Sequence, residues 1–380
     1  MAATEEGVKE ARESSVNPLL AEGHFLLGTF ASNTDGGQSL TKIPERWVNS
    51  FENNLKLAKL LDDAGIDFML PVARWIGFGA SNCHGNVLET LTWAAGLLAQ
   101  TKSLNVIATV HTAANHPVVV AKQIATIDQI SNSRIGLNIV AGWNKPEYEA
   151  LGLELPASHE ERYAYAQEWF EIVDALWTKT EPFDHDGKFW KLKKVVGVPR
   201  PMRQAPIINA AGSGEGRAFA VRNAHFLFTP TIELEKSRKD VAELKALGKE
   251  AGRDVRVLTM AHVVCRPTEQ EAKDYVDYYG KENVDWDALD SWMDLQFANA
   301  KSFPKDVLKD IRDRVAAFHG GYPLVGTPQQ VADGILALHE VGYSGTTLSF
   351  VDYVKEFPYF RDNVLPILEK AGIRKAKAVE

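Results

Sequence analysis

The chain has 380 residues, is 45% hydrophobic and 24% charged, and carries a formal net charge of -8 with only two cysteines. The negative balance argues against a nucleic-acid or anionic-membrane surface, and Cys83 and Cys265 fit neither a disulfide framework nor a paired-cysteine metal site. The N-terminal MAATEEGVKEARESS is polar without an apolar stretch and no run approaches a membrane span, so the expectation is a soluble, cytoplasmic protein.

In chain order, short runs rich in Val, Ile and Phe alternate with longer segments of helical period. Residues 1–22 read as a flexible tail. A strand over His24–Phe30 precedes a helix over Trp47–Ala64, in which Leu55, Leu57, Leu60 and Leu61 recur among polar residues and Gly65 supplies the stop. The following pairs are Phe68–Ala73 with Asn86–Gln100, Leu104–Val110 with Pro117–Ile130, and Ile135–Val140 with His159–Trp177. The stretch Lys179–Ala205, with EPFDHDGKFWKL, reads as a hairpin insertion turning at Asp186–Gly187. Pro206–Ala210 with Gly216–Asn223, Phe226–Thr229 with Leu234–Ala251, and Val257–Val264 with Glu269–Lys281 come next. Residues 281–326 are too long for a loop, contain helical pieces and are a candidate lid. Thr327 and Pro328 then open a helix over Pro328–Val341. A strand over Thr346–Val351 and a helix over Phe360–Ala371 close the chain.

Eight such units imply a parallel sheet, doubly wound or closed. The strands are almost continuously apolar, as burial of both faces requires, and the first is followed by ASNTDGG rather than GxGxxG. The expected fold is therefore a single-domain α/β protein, a (β/α)8 TIM barrel with insertions after the fourth and seventh strands.

Barrel chemistry sits at the C-terminal ends of the strands. After the second come Ala73, Arg74 and Trp75, a cation and an aromatic that suit a planar ring or simply pack together. After the third come His111, Thr112, Asn115 and His116, without the spacing or the carboxylate of a metal site. Asn138 lies inside an apolar strand, where its amide needs partners, and Glu147 and Tyr148 follow on a loop. Arg162 and Tyr163 stand in the first turn of HEERYAYAQEW, where a helix dipole favours acids, and a shared anion would account for that. Residues 209–220, NAAGSGEGRAFA, end a strand in a Gly-Ser-Gly turn and open a helix, a phosphate cradle without a Walker lysine.

Four segments, AKQIATIDQISNSRIGLNIVAGWNKPEYEALG, HEERYAYAQEWF, NAAGSGEGRAF and LVGTPQQVADGI, resemble in order and spacing the motifs of the bacterial luciferase-like, flavin-dependent monooxygenases. The resemblance runs from Phe25 to Leu368 and looks strongest toward the pyrimidine monooxygenases of uracil degradation, with dimethyl-sulfone monooxygenases second. It implies reduced FMN delivered by a separate NAD(P)H-dependent flavin reductase, O2 as co-substrate, one oxygen atom inserted into a small molecule, and a homodimer or homotetramer. It places Ala73, Arg74, Asn138 and Glu147 against the flavin ring or ribityl chain, and Arg162, Tyr163, Ser213 and Gly214 at the phosphate. Asn138, Thr109 and His111 are the implied catalytic group, with Trp75, His84 and His116 in the specificity pocket and no metal. Ala73–Arg74 stands where the pyrimidine enzymes carry Ile-Lys, and residues 75–86 depart from them as well. The expected substrate is a nitrogen heterocycle or cyclic amide. The alternatives are a sulfone or sulfonate monooxygenase, a deazaflavin-dependent oxidoreductase, a non-catalytic flavin-binding protein, or a phosphate-sugar barrel enzyme.

Overall fold

The computed structural model describes residues 17–21, 23–156, 158–212, 214–297 and 305–375. Its parallel strands are β1 (Leu26–Phe30), β2 (Phe68–Leu70), β3 (Asn105–His111) and β4 (Ile135–Val140). An antiparallel hairpin, β5 (Phe183–Asp186) with β6 (Lys191–Val195), interrupts them as expected. β7 (Ile207–Ala210), β8 (Phe226–Phe228), β9 (Arg256–Cys265), β10 (Tyr322–Gly326) and β11 (Gly345–Ser349) complete the set. Pairing runs β11-β1-β2-β3-β4-β7-β8, and β9 joins both β8 and β11, so eight strands close a barrel.

Alternation along the strands assigns each side chain to one of two cores. Leu26, Phe68, Leu70, Ile107, Ile208, Phe226, Phe228 and Leu258 fill the barrel interior. The opposite faces, among them Leu27, Met69, Val106, Leu137, Ile207 and Val257, pack under the helices. Gly28 and Gly136 make room inside: an added Cβ would stand 2.6 Å from the Phe68 ring or 2.5 Å from Ile107 Cδ1.

Several elements differ from the sequence expectation for identifiable reasons. The first helix spans Phe51–Asp63 and starts at the Ser50 cap, because Trp47 is drawn inward and its Nε1 donates to the Ser32 carbonyl at 2.7 Å. β10 was not foreseen. β8 pairs with only Arg256–Leu258, and β10 covers the edge that β9 would otherwise expose over Ala261–Cys265. The terminal helix is two pieces, Tyr353–Asn363 and Leu365–Lys370. Of the expected tail, residues 1–16 lie outside the described residues. Pro18–Leu20 instead form a short 3-10 turn whose Leu19 is buried in the interior cluster at the barrel floor. Asn17 anchors that turn by donating to the Ser133 carbonyl at 2.7 Å.

The insertion after β9 supplies helices Trp286–Phe297 and Lys305–Phe318. Its Val284, Ala288, Leu289, Val315 and Ala316 pack with Leu40, Phe78 and Cys83, forming a separate apolar cluster with the loops after β1 and β2. Asp285 accepts from the Ser81 hydroxyl at 2.8 Å and Asp287 from the Ala80 amide at 2.6 Å, tying insertion to loop. Among the described residues no helix is long and apolar enough to cross a membrane.

Candidate active site

Interior parity carries Thr109 and His111 on β3, Asn138 on β4 and His262 on β9 to the C-terminal mouth of the barrel. Thr109 and Asn138 are register partners. The Thr109 hydroxyl donates to the Pro71 carbonyl at 2.6 Å and accepts from Asn138 Nδ2 at 3.1 Å. Asn138 Oδ1 is left buried without a hydrogen-bond partner. At this point the wall presents an acceptor.

Next to this pair His111 lies parallel to Tyr148, with ring centroids 5.9 Å apart and the hydroxyl 3.3 Å from Nδ1. Glu147 Oε2 is 3.9 Å from the same nitrogen. Burial, with the charge of Arg74, lowers the imidazole to about 4, so it is neutral at ordinary pH. Tyr148 reaches His111 because Gly142 adopts φ +103°, where an added Cβ would collide with the phenol hydroxyl. The expected loop around Glu147 is a short helix, Lys145–Ala150, begun by Pro146. Glu147 Oε1 accepts from the Trp75 amide at 2.5 Å, fastening the turn that bears Arg74. Burial raises the Glu147 carboxyl, against the pull of that amide and of Arg74.

Arg74 lies over the Phe78 ring at 4.4 Å and within 5.7 Å of the Trp143 ring. Its Nε and Nη1 are shut off from solvent without partners, and burial pulls the guanidinium down to about 10, which leaves it cationic. Trp75 points outward and is 46% exposed. His84 is buried, its ring 5.1 Å from that of His319. His262 and His319 were not singled out in the sequence. A lone histidine in the apolar strand TMAHVVC reads as core, and His319 lies at the end of an insertion with no strand pattern.

At the opposite side of the mouth, the helices His159–Thr178 and Gly214–Asn223 meet through Tyr163 and Phe219, centroids 5.7 Å apart. Gly216 permits this approach, since an added Cβ would stand 2.5 Å from the Tyr163 hydroxyl. Arg162 is buried, with Nη1 donating to the Pro156 carbonyl at 2.7 Å. An added Cβ at Gly212 or Gly214 meets nothing within 4 Å, so the turn is open on that side. Ser213 lies outside the described residues.

His116 does not join the mouth. With Pro117 at the first helical position, its Nδ1 accepts the Val118 amide at 3.2 Å as the helix cap, and its ring abuts Trp190 of the hairpin at 4.7 Å. No group of three or more His, Cys, Asp or Glu among the described residues is arranged to hold a metal ion.

The family model described as luciferase-like monooxygenase matches residues 23–345. An FMNH2-dependent dimethylsulfone monooxygenase of Pseudomonas fluorescens is 30% identical over 352 residues, covering 91% of this chain and 95% of its own. A pyrimidine monooxygenase, RutA, of Acinetobacter baylyi is 29% identical over 349 residues, covering 90% and 94%. Among solved structures, long-chain alkane monooxygenase (LadA) superposes with a TM-score of 0.81 at 20% identity, covering 95% and 94%. DmoA of Hyphomicrobium sulfonivorans gives 0.80 at 19%, covering 94% and 90%.

Proposed function

The chain belongs to the luciferase-like monooxygenase family, and from that premise we propose that it is the oxygenase of a two-component system, taking reduced FMN from a separate NAD(P)H-dependent flavin reductase and inserting one atom of O2 into a small organic molecule. The observation that carries this reading is the mouth itself. A buried, unpartnered amide oxygen at Asn138 on β4 stands next to the end of β7, whose glycine turn is open at Gly212 and Gly214, and Arg162 is buried in the helix His159–Thr178 that follows β4.

These groups suit an FMN. Its phosphate would be held by the Gly214 end of the helix, Ser213, Arg162 and Tyr163, and its ring would rest near Ala73, Arg74 and Asn138. Bound there in reduced form, FMN supplies the electrons that activate O2. The protein's part is to orient and to exclude water. Asn138 Oδ1, fixed by the bond from its own Nδ2 to Thr109, offers an acceptor to a ring N–H. With the Thr109 hydroxyl spent on Pro71, Thr109 acts by positioning Asn138 rather than by donating to oxygen. Neutral His111, flanked by Tyr148 and Glu147 and next to Thr109 and Asn138, can hold or pass a proton. Glu147 acts through the Arg74 turn. The helices Trp286–Phe297 and Lys305–Phe318 of the insertion, packed on the loops after β1 and β2, would roof the mouth and keep bulk water from it.

The reading is tested by mixing anaerobic protein with photoreduced FMN, then with O2, under rapid-scan absorbance. An oxidation course different from that of free FMN, requiring the protein, is the expected result. Reduced FMN that binds but reoxidises as if free would favour a flavin carrier, and failure to bind would sink the proposal.

A further inference from the structure

Beneath the roof, the side of the mouth away from the glycine turn holds an unusual set of groups. Arg74 and His84 come from the loop after β2, His262 from β9, and His319 from the end of the helix Lys305–Phe318. His84, His262 and His319 are 3%, 0% and 9% exposed. Ring centroids of His84 and His319 are 5.1 Å apart, and His319 is 5.1 Å from Trp292. His262 stacks on Tyr279 at 5.8 Å and meets Phe318 at 6.0 Å.

Among the described residues nothing satisfies several of their polar atoms. His84 Nε2, both ring nitrogens of His262, His319 Nδ1, and Arg74 Nε and Nη1 are all buried without hydrogen-bond partners. Buried polar atoms are ordinarily paired, and leaving one unpaired costs free energy. Six such atoms on four neighbouring residues therefore mark a surface built for something else. A metal is not that partner, because these histidines are not grouped as ligands.

The chemistry of the set narrows the choice. A neutral imidazole carries one N–H, and a guanidinium donates only. Burial holds all three histidines neutral, with Arg74 adding to the effect at His84 and His319. The nearby carboxylates are engaged elsewhere: Glu147 by the Trp75 amide, Asp285 by the Ser81 hydroxyl and by Lys42 at 3.4 Å. Arg74 is thus a half-buried cation whose Nε and Nη1 are enclosed and idle, ringed by imidazoles that can each donate one N–H. The walls between them, Phe78, Trp292 and Phe318, are apolar.

We propose that Arg74, His84, His262 and His319 form the substrate-recognition cup, and that it takes a small molecule carrying a sulfonate- or carboxylate-type oxyanion on a short apolar body. This rests on the monooxygenase reading for what happens to the molecule afterwards, but not for its binding. A cyclic amide, the other substrate class, offers neutral carbonyl acceptors and no charge to balance Arg74. An oxyanion accepts from every donor present and neutralises the cation.

The test is calorimetric titration of the full-length protein, saturated with oxidised FMN, with methanesulfonate, acetate and uracil. Methanesulfonate or acetate should bind, whichever is tighter identifying the headgroup, and uracil should bind at least tenfold more weakly. His262→Phe, which keeps ring packing and removes both nitrogens, should weaken anion binding about tenfold, the loss of one charge-assisted hydrogen bond. FMN affinity in that variant should stay within twofold. If His262→Phe fails to fold, His319→Phe serves in its place with the same expectation. Preferential binding of uracil, no binding of either anion, or unchanged anion affinity in a folded variant would overturn the cup. Failure of the FMN titration or of the O2 reaction in the wild-type protein would instead strike the proposed function and leave the anion result standing.

Discussion

Asn138 and Thr109 illustrate how a single polar residue is placed by its strand and then specialised by its neighbour. The pair is a donor chain that ends on the Pro71 carbonyl and leaves Asn138 Oδ1 without a partner. Asn138→Ala removes that acceptor and leaves the phosphate side untouched. Product formed per O2 consumed should fall by about 10²-fold, the scale of losing one preorganised hydrogen bond at a reacting centre, while FMN affinity changes little. A collapse of FMN affinity in a fluorescence titration would assign the residue to cofactor binding instead. Asn138 and Arg162 were visible in the sequence because each breaks a pattern, a polar group in an apolar strand or a cation where a helix prefers acids, whereas Thr109 came from the family resemblance alone. His116 broke a pattern too, but the pattern was a cap, and Pro117 beside it is the cue for that. His262 also interrupts an apolar strand, but its meaning lies in unpaired nitrogens on three other residues that only the fold brings near it.

At the scale of elements, the barrel depends on how its strands and helices are fastened below the mouth. Asp67, just before β2, accepts from the Leu27 amide at 2.8 Å, from His24 Nε2 at 2.7 Å and from Arg374 Nη1 at 2.5 Å. Arg374 also donates to the Phe25 and Gly65 carbonyls, so β1, β2 and the chain's last described turn meet at one carboxylate. Burial would raise Asp67, but His24, Arg374 and the Leu27 amide together hold it below its ordinary 3.8. The folded carboxylate therefore binds protons more weakly than the unfolded one. Its contribution is full above 3.8 and drains away as the pH falls through the lower folded value. Arg374→Met strands the carboxylate and should cost about 3–5 kcal/mol in denaturant unfolding at pH 7, with the deficit shrinking as the pH drops below about 4. The hairpin is fastened in the same manner. Glu168 accepts from the Phe189 and Trp190 amides at 3.0 and 2.8 Å and from His185 at 3.1 Å. Glu168→Ala should expose the turn at 187–188 to limited proteolysis severalfold faster, with the barrel helices still resistant. The hairpin was legible from its Asp-Gly turn. β10 was not, because the need for it arises from the shortness of β8, a strand that ends at Phe228, far upstream of Tyr322 where β10 begins.

Across the whole molecule, the closed barrel follows from the count and alternation of its units, whereas the roof follows from contacts between distant segments. Ser81 meets Asp285 and Ala80 meets Asp287 across more than two hundred residues, and no local periodicity announces such a pairing. The roof also has an apolar cluster of its own, separate from the cores that stabilise the barrel. That separation makes it possible to loosen one without the other. Leu289 is fully buried in the roof cluster among Leu40, Phe78 and Val315. Leu289→Ala should open a cavity there at a local cost of about 2–5 kcal/mol. Because the barrel cores are intact, FMN affinity and far-UV dichroism should be unchanged. What should change is coupling: with water admitted to the mouth, a larger share of the reduced FMN supplied is oxidised to FMN while O2 is reduced to hydrogen peroxide, without product. Catalase-sensitive peroxide, measured against product with excess reductase, should rise severalfold relative to wild type. A variant with looser roof packing but unaltered coupling would show that water exclusion is achieved inside the barrel mouth, by the His84 to His319 wall, and that the insertion serves binding instead.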